Sequence, residues 1–253
     1  MSTISKGGLR RSNLLLSMVH FAQAAAVLLI SVNVKLPVTG SYLAYDSASR
    51  SLMPASKTLF QMPLTWLVAS FFFISGISHL LAATLYRKRY NHNLDLGRSP
   101  LRWVEYALGA GVMMVAIAML VGVYNIDSLG MIFGLTAIMC LMGWVMEFVN
   151  YKVEKINWYP YIIGVFAGMI PWIVVAHYLR LGAESGSNAP TFVYFIFVSI
   201  FIAFSSFAFN MVLHYRKLGK WSSYLYTEHV YMWLSLVAKA ALAWQVFAGI
   251  LRP

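Results

Sequence analysis

Seven apolar stretches, each long enough to cross a bilayer, constrain this chain more than any other feature. A helix needs about 20 consecutive apolar residues to traverse the hydrocarbon core. In lipid the backbone N–H and C=O groups must be satisfied within the protein, so such stretches fold as helices. They are read as spans A (residues 13–34), B (63–86), C (100–124), D (128–151), E (159–179), F (191–215) and G (224–250). The basic residues ahead of span A resemble the start of a signal peptide. The apolar stretch that follows is longer than a signal core and has no small-residue cleavage site, so it is read as the first span. The expected fold is an all-α membrane protein, a seven-transmembrane-helix bundle forming one domain over residues 1–253. Pro63, Pro100 and Pro160 fall near helix starts, where a missing N–H costs nothing, whereas Pro171 is expected to kink span E and free a carbonyl.

A net charge of +11 raises the question of a nucleic-acid partner, but the basic residues sit at span ends, where they set topology and meet lipid headgroups. One side carries Lys6, Arg10, Arg11, Arg87, Lys88, Arg89, Arg98, Arg102, Lys152, Lys155, Arg216, Lys217 and Lys220; the other carries Lys35, Arg50, Lys57, Arg180 and Arg252. Because basic loops stay in the cytoplasm, the N-terminus is expected inside and the C-terminus outside the cell membrane. The long A–B connection, residues 35–62, is then extracellular. Its segments 38–46 and 49–53 have the pattern of a short β-hairpin. Cys140, the single cysteine, lies in an apolar segment and forms no intrachain disulfide. Neither a catalytic constellation nor a metal site is read, and the chain is expected not to be an enzyme.

Inside the spans, polar residues are few and their depths can be compared at 1.5 Å per residue. Lys239 lies in the run Ser235-Leu-Val-Ala-Lys239-Ala-Ala-Leu242, about 16 Å past Glu228 and His229, where span G is read to enter the hydrocarbon region. An ammonium at that depth costs at least about 2.5–3.5 kcal/mol, so it needs both a partner and a use. Its side chain leans back toward Ser235, one turn earlier. Glu105 lies about 8 Å into span C and is the one carboxylate placed to pair with it. His20 and His79 share a depth of about 10 Å on spans A and B, and Ser75 is on the same helical face as His79. Each has a plainer alternative. The histidines could simply bond neighbouring helices, the serines their own i−4 carbonyls, and Glu105 could extend to the headgroups beside Arg102. Lys239 is too deep for that escape. A desolvated lysine has a lowered pKa, and its neutral amine condenses with an aldehyde as a Schiff base, which once protonated requires a carboxylate counterion.

A lysine in mid-span of the seventh helix and an acid near the start of the third resemble the microbial rhodopsins. The Arg102-x-x-Glu105 spacing is similar to their arginine and counterion pair, and Met139-x-x-x-Gly143 to the pair flanking the retinal ring. The inverted orientation, Glu in place of Asp as counterion, Ser235 where pumps carry a second acid, the paired histidines and the long A–B loop resemble the heliorhodopsins, across the whole chain. The resemblance implies all-trans retinal on Lys239, isomerised by light to the 13-cis form, with Glu105 as counterion. It also implies a pocket that includes Trp103, Met113, Met139, Gly143, Trp172, Phe204, Phe207 and Asn210, with Trp172 favoured because the kink at Pro171 leaves room beside it. Aromatic residues in spans are otherwise usually interface anchors or packing.

A pump needs a second carboxylate along span C to reload the amine. Eleven residues past Glu105, nearly back on the same face, the sequence has Ala116, and Gly109 lies one turn past the counterion. The expectation is therefore a light sensor with a slow cycle and no ion pumping, signalling to a cytoplasmic partner, with His20 and His79 sharing the proton. The alternative is a light-gated or retinal-independent proton or anion channel or transporter. Gly130-x-x-x-Gly134 and Gly164-x-x-x-Gly168 permit close helix contact, within the bundle or between copies. The resemblance favours a homodimer through spans D and E, assisted by the A–B loop.

Overall fold

The computed structural model describes residues 4–252. Seven long apolar helices form the bundle: α1 (Lys6–Ile30), α2 (Leu64–Ala83), α4 (Pro100–Leu120), α5 (Ile126–Val149), α6 (Tyr159–Glu184), α7 (Thr191–Tyr215) and α8 (Tyr224–Val246). A short extra helix, α3 (Arg87–Asp95), follows α2, and a π-helical turn, Phe247–Leu251, continues α8. α4 is the central helix: 67% of its apolar window is buried, against 17% for α7, which faces outward.

The first helix begins at Lys6, well before the apolar stretch, because Ser5 caps it by accepting a hydrogen bond from the Gly8 amide at 3.1 Å. Span C ends at Leu120, four residues early, where a turn containing Gly122 at φ 98° breaks the helix. The helix of span E runs unbroken through Pro171, so no unwound segment opens beside Trp172.

The A–B connection is a hairpin over its whole length. β1 (Lys35–Asp46) pairs antiparallel with β2 (Ser51–Pro63), with an irregularity between Val38 and Thr39. Asp46 closes the turn by accepting from the Ala48 amide at 3.0 Å and the Ser49 hydroxyl at 2.7 Å, which holds its carboxyl below the usual range. The irregularity frees the Thr39 amide to donate to Tyr124 O at 2.8 Å. Asn125 caps α5 through its Oδ1 and donates from Nδ2 to Ser41 at 3.0 Å. The hairpin is thereby fastened to the α4–α5 turn, and Val38 enters the core.

The interior divides along the bundle axis. The half nearer the hairpin is a continuous apolar core that includes Met113, Ala116, Ile117, Trp172, Ile196 and Leu242. Nearly all the buried polar and charged residues occupy the middle and the end nearer the N-terminus.

Candidate functional site

Lys239 projects from α8 into the centre of the bundle, where its Nζ lies 2.9 Å from Glu105 Oε1 and 2.5 Å from Ser235 Oγ. Both ionised side chains are 4% exposed. The same carboxylate oxygen accepts the Ser75 hydroxyl at 2.5 Å, while Ser75 is also 3.0 Å from the Phe71 carbonyl. The Tyr106 ring lies 5.5 Å from Nζ. The pair crosses α4 over Gly109, where a Cβ would stand 3.3 Å from Lys239 Cε and 3.5 Å from Glu105 Oε1. Glycine leaves the room that the contact occupies. Glu105 therefore points inward to the amine rather than along the helix to Arg102.

The two histidines stack, with ring centroids 5.5 Å apart and planes within 6°. Asn13 spends its amide N–H on Leu9 O at 2.9 Å, so its Oδ1 accepts from His79 Nδ1 at 2.8 Å. This leaves His79 Nε2 and both nitrogens of His20 buried without a partner among the described residues.

Beyond Nζ opens an apolar cavity of about 790 Å³, a figure that includes its open mouth. Lys239 and Ser235 are at one end, and Trp103, Met113, Met139, Gly143, Phe204 and Phe207 line it. Gly143 is required by close approach: a Cβ there would overlap the Trp103 ring. The lining also includes Tyr106, Cys140, Tyr161 and Gly164, which sequence reasoning did not assign to the pocket. Trp172 stands one layer behind, edge-on to Phe204 at 5.6 Å and packed against Phe197 and Phe201. Asn210 lies away from the cavity, accepting from Trp221 Nε1 at 2.6 Å and tying α7 to the start of α8.

A second buried cluster was not foreseen. Arg102 is paired with Glu147 of α5 and Glu228 of α8, and its guanidinium lies over the rings of Trp103, at 4.6 Å, and Tyr231, at 4.2 Å. Ser99 donates its amide to Glu147 and its hydroxyl to Glu228, both at 2.9 Å, and Tyr224 donates to Glu147 at 2.9 Å. Part of the signal was available: Glu147 is a lone acid in an apolar run, though only four residues from the inner end of span D. Which partner Arg102 takes depends on how α5 and α8 are rotated, which spacing along α4 cannot reveal.

The bundle is that of a multi-pass membrane protein with a seventh-helix lysine, a third-span carboxylate paired with it and an apolar cavity at the amine. The family model for heliorhodopsin matches residues 9–251, nearly the whole chain, and the protein belongs to that family. Comparison with individual curated proteins gives no match. The family is one of light-sensing proteins with a retinal chromophore. The site fits that group: a buried amine faces an apolar space walled by aromatic rings and methionines.

Proposed function

We propose that this protein is a non-pumping light sensor in which Lys239 holds retinal, all-trans in the dark, through Nζ, with Glu105 as counterion. The observation that carries the reading is the 2.9 Å Lys239–Glu105 contact at the end of the apolar cavity. When bound, retinal supplies visible absorption and a light-driven change of shape. The rest is done by the chain. Glu105 holds the positive charge on Nζ, and Ser75 and Ser235 fix the two partners from either side. His79 Nε2 and the His20 ring take up a proton leaving Nζ. Trp103 and Phe204, the latter backed by Trp172, wall the cavity.

Absence of pumping is supported by the buried apolar core on the hairpin side, where Ala116 occupies the face a reloading acid would need. A channel or transporter would need a polar route through that core. A slow cycle follows from the same lack of a donor. The excess of basic residues in the loops on the N-terminal side supports a cytoplasmic N-terminus and α3, where anionic lipid headgroups and a signalling partner would meet them. For association with a second copy, Gly164 and Gly168 are already filled by Met139 and Met142 inside the bundle, whereas nothing lies within 4 Å of a Cβ at Gly130 or Gly134. A homodimer is therefore proposed through the open α5 face and the hairpin.

The test is colour. Protein supplied with all-trans retinal should show a visible band that Lys239→Ala abolishes and Glu105→Gln shifts to the red. No band, or a band that survives Lys239→Ala, refutes retinal on this lysine. A light-driven pH change in cells that a protonophore removes refutes the absence of pumping.

A further inference from the structure

The short helix α3 lies outside the spans, yet it contributes a side chain to the buried charges. Tyr90, at its centre, is 5% exposed and donates from its hydroxyl to Glu228 Oε1 at 2.9 Å. The other oxygen of Glu228 takes Arg102, one helical turn from Glu105 on α4. Tyr90, Glu228, Arg102, Glu105, His79 and Asn13 border one small polar cavity. The Lys239–Glu105 pair and the Tyr90–Glu228–Arg102 group therefore meet at one cavity beneath a helix on the N-terminal surface. Burial and the adjacent carboxylate push the Tyr90 phenol far above its ordinary pKa, so the hydroxyl stays a donor.

Little else holds α3. It has nine residues, no side-chain N-cap and only Tyr90 and Leu94 in its apolar contact with Leu9, Ala82 and Met232. A helix that short is not stable alone. Its other tie is the exposed Lys6–Asp95 ion pair, which is worth little. Lys88, Arg89 and His92 lie on its outward face. Glu147 and Glu228 hold Arg102 while Glu105, one turn along α4, holds Lys239, so a charge displaced at Nζ changes the field at Arg102 and hence its pull on Glu228.

We propose that Tyr90 is a positioning residue that couples the Lys239–Glu105 site to α3, and that α3 is the element through which the light signal reaches the inner surface. The proposal rests on the light-sensing reading above. In the dark the Tyr90–Glu228 bond docks α3; redistribution of charge in the core weakens the bond and releases the helix.

Amide hydrogen exchange over residues 87–95 tests this. In darkness, without added retinal, Tyr90→Phe should raise exchange there about tenfold, the loss of one hydrogen bond to a charged group, while the core of α4 is unchanged. With retinal bound, light should accelerate exchange in α3 of the unaltered protein. Glu228→Gln keeps an acceptor for Tyr90 but removes the charge, and should abolish the light effect with the visible band retained. A visible band with no light effect on α3, or a Tyr90→Phe protein that exchanges like the original in darkness, overturns the coupling. Absence of any band overturns instead the light-sensing reading, and the dark experiment still decides whether Tyr90 docks α3.

Discussion

The two halves of the bundle solve different problems with the same kind of helix. Toward the hairpin, the interior is a dry apolar core. Toward the N-terminus, Arg102, Glu105, Glu147, Glu228 and Lys239 are all buried within a few turns of one another. A packed apolar core tolerates exchange of one hydrophobe for another of similar volume. A buried ionic network depends on complete pairing, because each charge left alone bears its full desolvation cost. The contrast teaches where function resides: stability comes from the first half, and the second stores charge that a bound chromophore can disturb.

The contrast breaks most severely if the charged half loses its cation. Arg102→Ala should leave Glu147 and Glu228 facing each other unpaired and cost about 3–5 kcal/mol, measured by denaturant unfolding in detergent. Replacing all three with apolar residues of similar size should recover most of that loss. The reverse experiment puts a charge in the dry half. Ala116→Asp should cost about 2.5–3.5 kcal/mol in the same assay, and an unchanged midpoint would show that half to be wet.

A smaller effect distinguishes the cavity from both halves. Gly143→Leu drives a side chain into Trp103, with about 1–3 kcal/mol of overpacking, and should abolish the visible band while the helical circular dichroism persists. The smallest lies at the edge of the dry half, where Asn125→Ala removes the α5 cap and the side-chain tie to Ser41. About 1 kcal/mol should be lost, with faster amide exchange in the hairpin and no change at Lys239.

Much of this was legible beforehand. The nearness of Lys239 to Glu105 and Ser235, and the shared depth of His20 and His79 with Ser75 on the His79 face, follow from a regular rise per residue, whereas the stacking of the rings and the Ser75–Glu105 contact do not. The hairpin was visible as turn residues between alternating segments, though its strands are longer than the pattern suggested. Trp172 and Asn210 were placed at the pocket by position along their helices. Rotation puts one behind Phe204 and the other against Trp221. α3 was hidden because its sequence is polar and short, and only Tyr90 reaching Glu228 gives it a place.

The sequence by itself determined the seven spans, the membrane setting and the residue at the centre of the site, because apolar length and the cost of a charge in lipid are properties of a segment alone. Only the tertiary structure decided which carboxylates Arg102 takes, which glycine pair stays open to a second copy, and which aromatic rings wall the cavity. Those outcomes depend on the rotation and neighbours of whole helices, set by packing among residues far apart in the chain.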